Sequence, residues 1–285
     1  MKTLVAFSGG TDSTYVMYKL LTETDDEVTA ILFKKDEDAQ VLNLAPNVSY
    51  TNVPYVLEEL RKIRSFDFIE HLIKPENQDE ETKHYYTYFI KYAAPFLNNG
   101  TYDRIVTART WEQFNQNIIS TEHKGSIAEV AAQRLMEREV TRGYLWNPLV
   151  THEYHQNFNK AHAFLYLPEN LSKYVNSCVS PKIINNFAKP CGACYKCLFN
   201  AKVRSFLAVG HSPEKIQKWT ETKCKEYGGD SGISAPIRKW IRAEHLDDPV
   251  QKHFMKQDVI AEVKNKPHYT FDTIKPEGIW DPTQT

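Results

Sequence analysis

The hexapeptide Ser8-Gly9-Gly10-Thr11-Asp12-Ser13 stands between an apolar run, Thr3 to Phe7, and a stretch in which Val16, Met17, Leu20 and Leu21 recur at helical spacing. That order predicts a buried strand, a tight turn and a helix. Two adjacent glycines remove the Cβ atoms that would keep a ligand away from the backbone, and the helix that follows turns its free N–H groups and positive dipole end toward the same point. Ser8, Thr11 and Ser13 add hydroxyls, and Asp12 adds a carboxylate able to hold magnesium or orient a loop amide. The expected ligand is a phosphate.

Two familiar nucleotide loops do not fit. No lysine follows Gly10 at the spacing a Walker loop requires, and the third glycine of a dinucleotide fingerprint is missing near Ser13. Ser-Gly-Gly-x-Asp-Ser after an N-terminal strand resembles instead the signature of the PP-loop ATP pyrophosphatase superfamily. That resemblance implies adenylation of a substrate oxygen with release of pyrophosphate, ATP and magnesium as cofactors, and Ser8, Gly9, Gly10, Thr11, Asp12 and Ser13 as nucleotide-binding residues.

The rest of the first half alternates strands and helices. Val28 to Phe33 reads as a second buried strand; Leu57, Leu60, Ile63 and Ile69 suggest helical segments between Tyr55 and Ile73; Tyr85 to Leu97 reads as a helix ended by Gly100. Arg104 to Ala108 reads as a third strand, followed by the polar segment Arg109 to Asn117. Such alternation predicts an α/β fold, a Rossmann-like parallel sheet flanked by helices, with ligands beyond the carboxyl ends of the strands. Asn147-Pro148-Leu149 breaks the pattern. We therefore expect a nucleotide-binding core over residues 1–150, a zinc-binding segment over 151–210 and a mainly helical C-terminal extension over 211–285. In the extension, Pro213 to Glu226 and Pro236 to Glu244 read as helices around a Gly228 to Gly232 turn, and the end from about Lys264 reads as extended.

With 35 basic and 36 acidic side chains in 285 residues, the chain is not a nucleic-acid coat, and nucleic acid is not a required partner. No stretch approaches the roughly 20 apolar residues of a membrane span, and no signal-like leader is visible, so a cytoplasmic protein is expected.

Four of the five cysteines fall between Cys178 and Cys197. Cys191-Gly192-Ala193-Cys194-Tyr195-Lys196-Cys197 brings three thiolates onto one tight turn, and Cys178 completes a four-sulfur set. Zinc prefers this closed arrangement, in a structural role; an iron-sulfur cluster uses similar cysteines. Cys224 reads as a bystander.

An N-terminal PP-loop combined with Cys, then Cys-Gly-x-Cys-x-x-Cys, resembles the 7-cyano-7-deazaguanine (preQ0) synthase family over roughly Met1 to Gly210. Asn147-Pro148-Leu149, a Lys160-centred helix and the Val175-Asn176-Ser177-Cys178 approach are similar to its other elements. The resemblance implies conversion of 7-carboxy-7-deazaguanine to its nitrile with ATP and ammonia, and zinc on Cys178, Cys191, Cys194 and Cys197. Asp12, Lys160 and Arg109 are the candidate catalytic residues, and Phe33 joins the loop as a candidate nucleotide contact. Trp111, Phe114 and Asn115 are candidates for holding a planar base, although core packing explains aromatics as well. The sequence also departs from the family. Lys34-Lys35-Asp36-Glu37-Asp38 replaces an aromatic segment after the second strand, no Pro-Gly-Arg-Asn-like element precedes the middle helix, and Asn200 stands where an arginine is usual. Divergent homologues of phage genomes or antiphage operons would show this pattern. Two other readings stay open: the same adenylation with a modified tRNA base or a protein terminus as acceptor, and a non-catalytic nucleotide-binding module. The C-terminal extension is a candidate surface for a second copy or a partner protein. His152-Glu153-Tyr154-His155 is one residue short of a zinc-protease helix, and Gly229-Asp230-Ser231-Gly232 reads as a turn.

Overall fold

The computed structural model describes residues 1–40, 47–78, 85–108, 150–151, 159–178, 180–228 and 241. Five parallel strands form one sheet in the order β3-β2-β1-β4-β5. They are β1 (Lys2–Ala6), β2 (Glu27–Lys35), β3 (Asp67–Ile73), β4 (Arg104–Thr107) and β5 (Val150–Thr151). The chain starts in the middle, builds outward through β2 and β3, and then crosses to the other side of β1. The order therefore reverses between β1 and β4, the place in such a sheet where ligands generally bind beyond the carboxyl ends of the strands. Residues 8–13 follow β1 at that point.

Period-two alternation divides the strand side chains between two apolar layers. Val5, Ala30 and Leu32 face α1 (Thr11–Glu23) and α2 (Val53–Arg61), where Met17, Leu20, Val56 and Leu60 are buried with them. Leu4, Ile31, Phe33 and Ile105 face the opposite layer, which Tyr88, Phe89 and Ala93 of α3 (Tyr85–Asn98) close. Both faces are covered over the central strands, so β1 and β2 carry near-continuous buried runs.

The segment carrying Ile69 is a strand, not a helix. Helix α2 stops at Arg61, Ile63 is 39% exposed, and Asp67 to Ile73 pairs residue by residue with Thr29 to Lys35. A full parallel ladder satisfies every backbone group on one side of this edge strand, and tertiary pairing overrides a local helical spacing. Arg104 to Thr107 is consequently the fourth strand in chain order. Gly100 takes φ +75 just beyond α3.

The amino ends of the central strands are tied by one buried carboxylate. Asp26 accepts from Thr3 Oγ1 at 2.6 Å and from the Arg104 guanidinium, whose Nε lies 3.1 Å away. Arg64 caps the carboxyl end of α1 by donating to the carbonyls of Thr24, Leu20 and Asp26. That helix has no basic residue of its own in the last turn.

After β5 come α4 (Lys160–Tyr166), α5 (Glu169–Ser172), the hairpin β6 (Lys182–Ile184) and β7 (Phe187–Lys189), α6 (Tyr195–Ala208) and α7 (Pro213–Gly228). One side of α4 joins the α1 layer through Ala163, while Ala161 packs with Leu198, Phe199, Val203 and Ile216 of α6 and α7. The cysteine segment and the C-terminal helices thus share α4 with the sheet core. Asn147-Pro148-Leu149, the turn at 229–232 and the stretch from Lys264 lie outside the described residues.

Candidate functional site

The loop between β1 and α1 is held by its own hydroxyls. Ser13 Oγ accepts from the backbone N–H of Ser8 at 3.1 Å, donates to the Gly10 carbonyl at 3.3 Å and lies 3.0 Å from Ser8 Oγ. The two glycines differ in how strictly the fold demands them. Gly9 takes φ +69, and a Cβ on it would come 2.6 Å from Val53 Cγ2. At Gly10, a Cβ would come 3.3 Å from Ser177 Oγ.

Gly10 offers no side chain to cap α1, and Ser177 supplies the cap from 166 residues away. Its Oγ accepts from Thr11 N–H at 3.1 Å and donates to Thr11 Oγ1 at 3.2 Å. Capping of this kind usually comes from the residue before the helix. Here it comes from the residue preceding Cys178, so one peptide bond separates the side chain that caps α1 from the first cysteine of the cluster.

Lys160 and Asp12, 148 residues apart, form an ion pair between Nζ and Oδ1 at the first turn of α1. The side chains are 9% and 13% exposed, so the pair is largely shielded from water. Lys160 opens α4 rather than centring it, and a capping box fixes that end. Asn159 Oδ1 accepts from His162 N–H at 3.1 Å, and His162 Nδ1 accepts from Asn159 N–H at 3.2 Å. Burial lowers the pKa of His162 despite Glu214 nearby, which keeps the ring neutral and its Nδ1 able to accept.

Cys178, Cys191, Cys194 and Cys197 bring their sulfurs within 4.8 Å of one another. Four sulfurs bound tetrahedrally at about 2.3 Å from one zinc ion lie about 3.8 Å apart; Cys178 and Cys194 are 3.8 Å apart, and Cys194 and Cys197 3.4 Å. Backbone N–H groups of Ser180 and Cys191 donate to Cys178 Sγ, and that of Cys194 to Cys191 Sγ, each at 3.3 Å. Hydrogen bonds with Cys191 and Cys194, together with burial, push the Cys178 thiol far above the ordinary range; bonds with Cys178, Cys191 and Cys194 do the same to Cys197. Four thiolates this close require a cation, and the converging N–H donors suit sulfurs that carry negative charge. The spacing fits one tetrahedral ion, zinc by preference, while the sulfides of a multi-iron cluster would hold the thiolates farther apart. All four protein positions would be used, leaving none open for substrate.

The hairpin that delivers Cys191 turns on Asn185 and Asn186, at φ 50 and 66, a conformation asparagine tolerates. Asn52 clamps it to the start of α2, accepting from Ala188 N–H at 2.7 Å and donating to Ala188 O at 3.0 Å. Neither Asn52 nor the Asn159–His162 box carries a sequence signal that sets it apart from ordinary turn residues. The ring of Phe33 is 1% exposed, packed edge-on against His71, Tyr88, Phe89 and Tyr92, so only its backbone is available to a nucleotide. Arg109, Trp111, Phe114, Asn115 and the His152–His155 run lie outside the described residues. No helix among the described residues is long and apolar enough to cross a membrane.

No family model matches the chain, and no curated protein matches it. Among solved structures, one described as a predicted subunit of a tRNA methyltransferase from Methanocaldococcus jannaschii is similar at 15% identity, over 75% of this chain and 92% of that one, with a TM-score of 0.30. At that score the likeness decides nothing about activity.

Proposed function

We propose that this chain is an ATP-dependent ligase of the PP-loop type that adenylates a carboxylate and amidates it with ammonia, converting 7-carboxy-7-deazaguanine to 7-cyano-7-deazaguanine. The observation that supports this most is the Asp12–Lys160 pair at the first turn of α1, behind a loop that only glycine can build, at the point where the sheet order reverses. A substrate carboxylate oxygen attacks the α-phosphorus of ATP, the bond to the β-phosphate oxygen breaks, and pyrophosphate leaves. Ammonia then displaces AMP from the acyl carbon to give the amide. Adenylation of the amide oxygen, followed by loss of AMP and the remaining nitrogen protons, gives the nitrile.

This chemistry requires no covalent enzyme nucleophile. Its barrier falls through positioning and through neutralising charge on phosphate, for which the loop amides, Ser8, Thr11, Ser13 and the Lys160 ammonium are the candidates. Asp12 would share its carboxylate between Lys160 and a nucleotide-borne magnesium ion, which screens the phosphates. Arg109 is kept as a further candidate cation. The zinc held by the four cysteines would fix Ser177 and hence the end of α1. In this reading residues 1–150 carry the nucleotide chemistry, 151–210 bind zinc, and 211–285 offer a surface to a second copy or a partner.

A second reading keeps the adenylation and changes the acceptor. The Lys34-to-Asp38 stretch at the end of β2 and Asn200 after the last cysteine, both departures from the resembling family, favour it. One experiment separates the two: purified protein with ATP, magnesium, ammonium and 7-carboxy-7-deazaguanine, with pyrophosphate and the base followed by mass spectrometry. The nitrile is expected. A stall at the adenylate or amide would point to another acceptor, and absence of pyrophosphate would overturn the proposed substrate.

A further inference from the structure

A pocket of about 270 Å³ lies between the phosphate loop and the four cysteines. Among the described residues it touches residues 8–13 only at Thr11, the residue capped by Ser177. It is therefore a neighbour of the nucleotide crevice rather than part of it. Its volume is below the roughly 300 Å³ at which pockets for drug-sized ligands begin, too small for a whole nucleotide.

The lining has a sign and a shape. Lys173, Lys189 and Arg204 stand against one carboxylate, Glu169. The Arg204 guanidinium lies 4.1 Å from the centre of the Phe164 ring, and Phe187 lies in the lining on the hairpin side. Burial brings the pKa of Arg204 down to about 10, so it remains a cation at neutral pH. Asn200 precedes Arg204 by one helical turn and shares its face of α6. Among the described residues the Asn200 side chain makes no hydrogen bond and Lys189 makes no ion pair. Phe164 likewise follows Lys160 by one turn of α4, so the pocket adjoins the Asp12–Lys160 pair through that helix.

From these contacts we infer that the pocket receives the substrate to be adenylated, a small planar heteroaromatic carboxylate, with Arg204 and Lys189 on its charge and Asn200 on a polar edge. The inference rests on the adenylating reading above. A cationic wall selects an anion, aromatic faces select a flat one, and Thr11 sets its edge beside the phosphate loop.

The competing account is that the cations only balance the charge of a four-thiolate zinc centre. Calorimetric titration of the full zinc-loaded chain, without ATP, separates the two, using 7-carboxy-7-deazaguanine and its nitrile as probes. The acid should bind wild type. Arg204→Met should weaken the acid by about tenfold or more and the nitrile by less than about threefold, with zinc content and the affinity for a non-hydrolysable ATP analogue unchanged. Lys189→Gln, half-exposed on the hairpin, should weaken the acid by about threefold to tenfold, even where Arg204→Met folds poorly. Unchanged acid binding in both variants would overturn the inference. So would loss of zinc in Arg204→Met with Lys189→Gln indistinguishable from wild type. A chain that binds the acid through these residues and releases no pyrophosphate would retain the pocket and lose the adenylation chemistry. Pyrophosphate release with an unaltered KM for the acid in both variants would do the reverse.

Discussion

Replacing Gly9 with alanine tests the turn between β1 and α1 through its backbone. At φ +69 an alanine sits in the left-handed region, at about 1–2 kcal/mol. Its Cβ would also lie 2.6 Å from Val53 Cγ2, about 1 Å inside normal carbon contact. Val53 opens α2 and is 4% exposed against the core, so it has little room to yield, and overpacking of this kind costs about 1–3 kcal/mol. The total, about 2–5 kcal/mol, divides into a part that belongs to the backbone and a part that belongs to Val53. Val53→Ala removes Cγ2 and leaves Val53 Cβ at 3.7 Å, an ordinary contact. In that background Gly9→Ala should cost only the left-handed share, giving a coupling of about 1–3 kcal/mol. Urea unfolding of wild type, the two single variants and the double variant measures it, with nucleotide affinity followed in parallel. Equal cost in both backgrounds would refute the close approach of α2 to the loop, and no cost in either would refute the left-handed turn.

Further outcomes follow from the same geometry. Asp12→Ala should abolish pyrophosphate release while leaving the metal content unchanged; full turnover would remove the loop from the chemistry. In Cys194→Ser the metal and the solubility should be lost together, and retention of one zinc per chain would count against the four-thiolate centre. Burial lowers the pKa of both His71 and His162, so the unfolded chain takes up protons near 6.5 before the folded one does. Stability should therefore be complete above pH 6.5 and fall as the pH drops toward the folded values. His71→Phe should flatten part of that fall, and an unchanged slope would show that His71, whose Nε2 lies 2.9 Å from Tyr88 Oη, does not titrate with unfolding.

What could be read in the sequence was what is local along the chain. Residues 8–13 are consecutive and join β1 to the start of α1, so apolar spacing and two glycines sufficed to place the strand, turn and helix. Three of the four cysteines lie on one turn, and thiolate chemistry says what such spacing is for. Reading failed where an element owes its state to a distant partner. The segment with Ile69 is a strand because β2 pairs with it along its whole length, a contact that helical spacing within the segment cannot reveal. The ring of Phe33, a candidate nucleotide contact, belongs to the α3 layer, a placement that an apolar run cannot reveal.

Spacing along the chain was enough for an α/β fold, for the glycine turn after β1 and for the four-cysteine cluster, because each is carried by residues near one another in the chain. Folding alone brings Lys160 to Asp12 across 148 residues and Ser177 to Thr11 across 166. It also decided that Arg204 faces a pocket between the two centres. The physical reason is that a charge or a hydroxyl acquires a role from what surrounds it. For these residues the surroundings are created by the crossover from β3 to β4 and by the packing of α4 against α1, neither of which leaves a periodic trace in the chain.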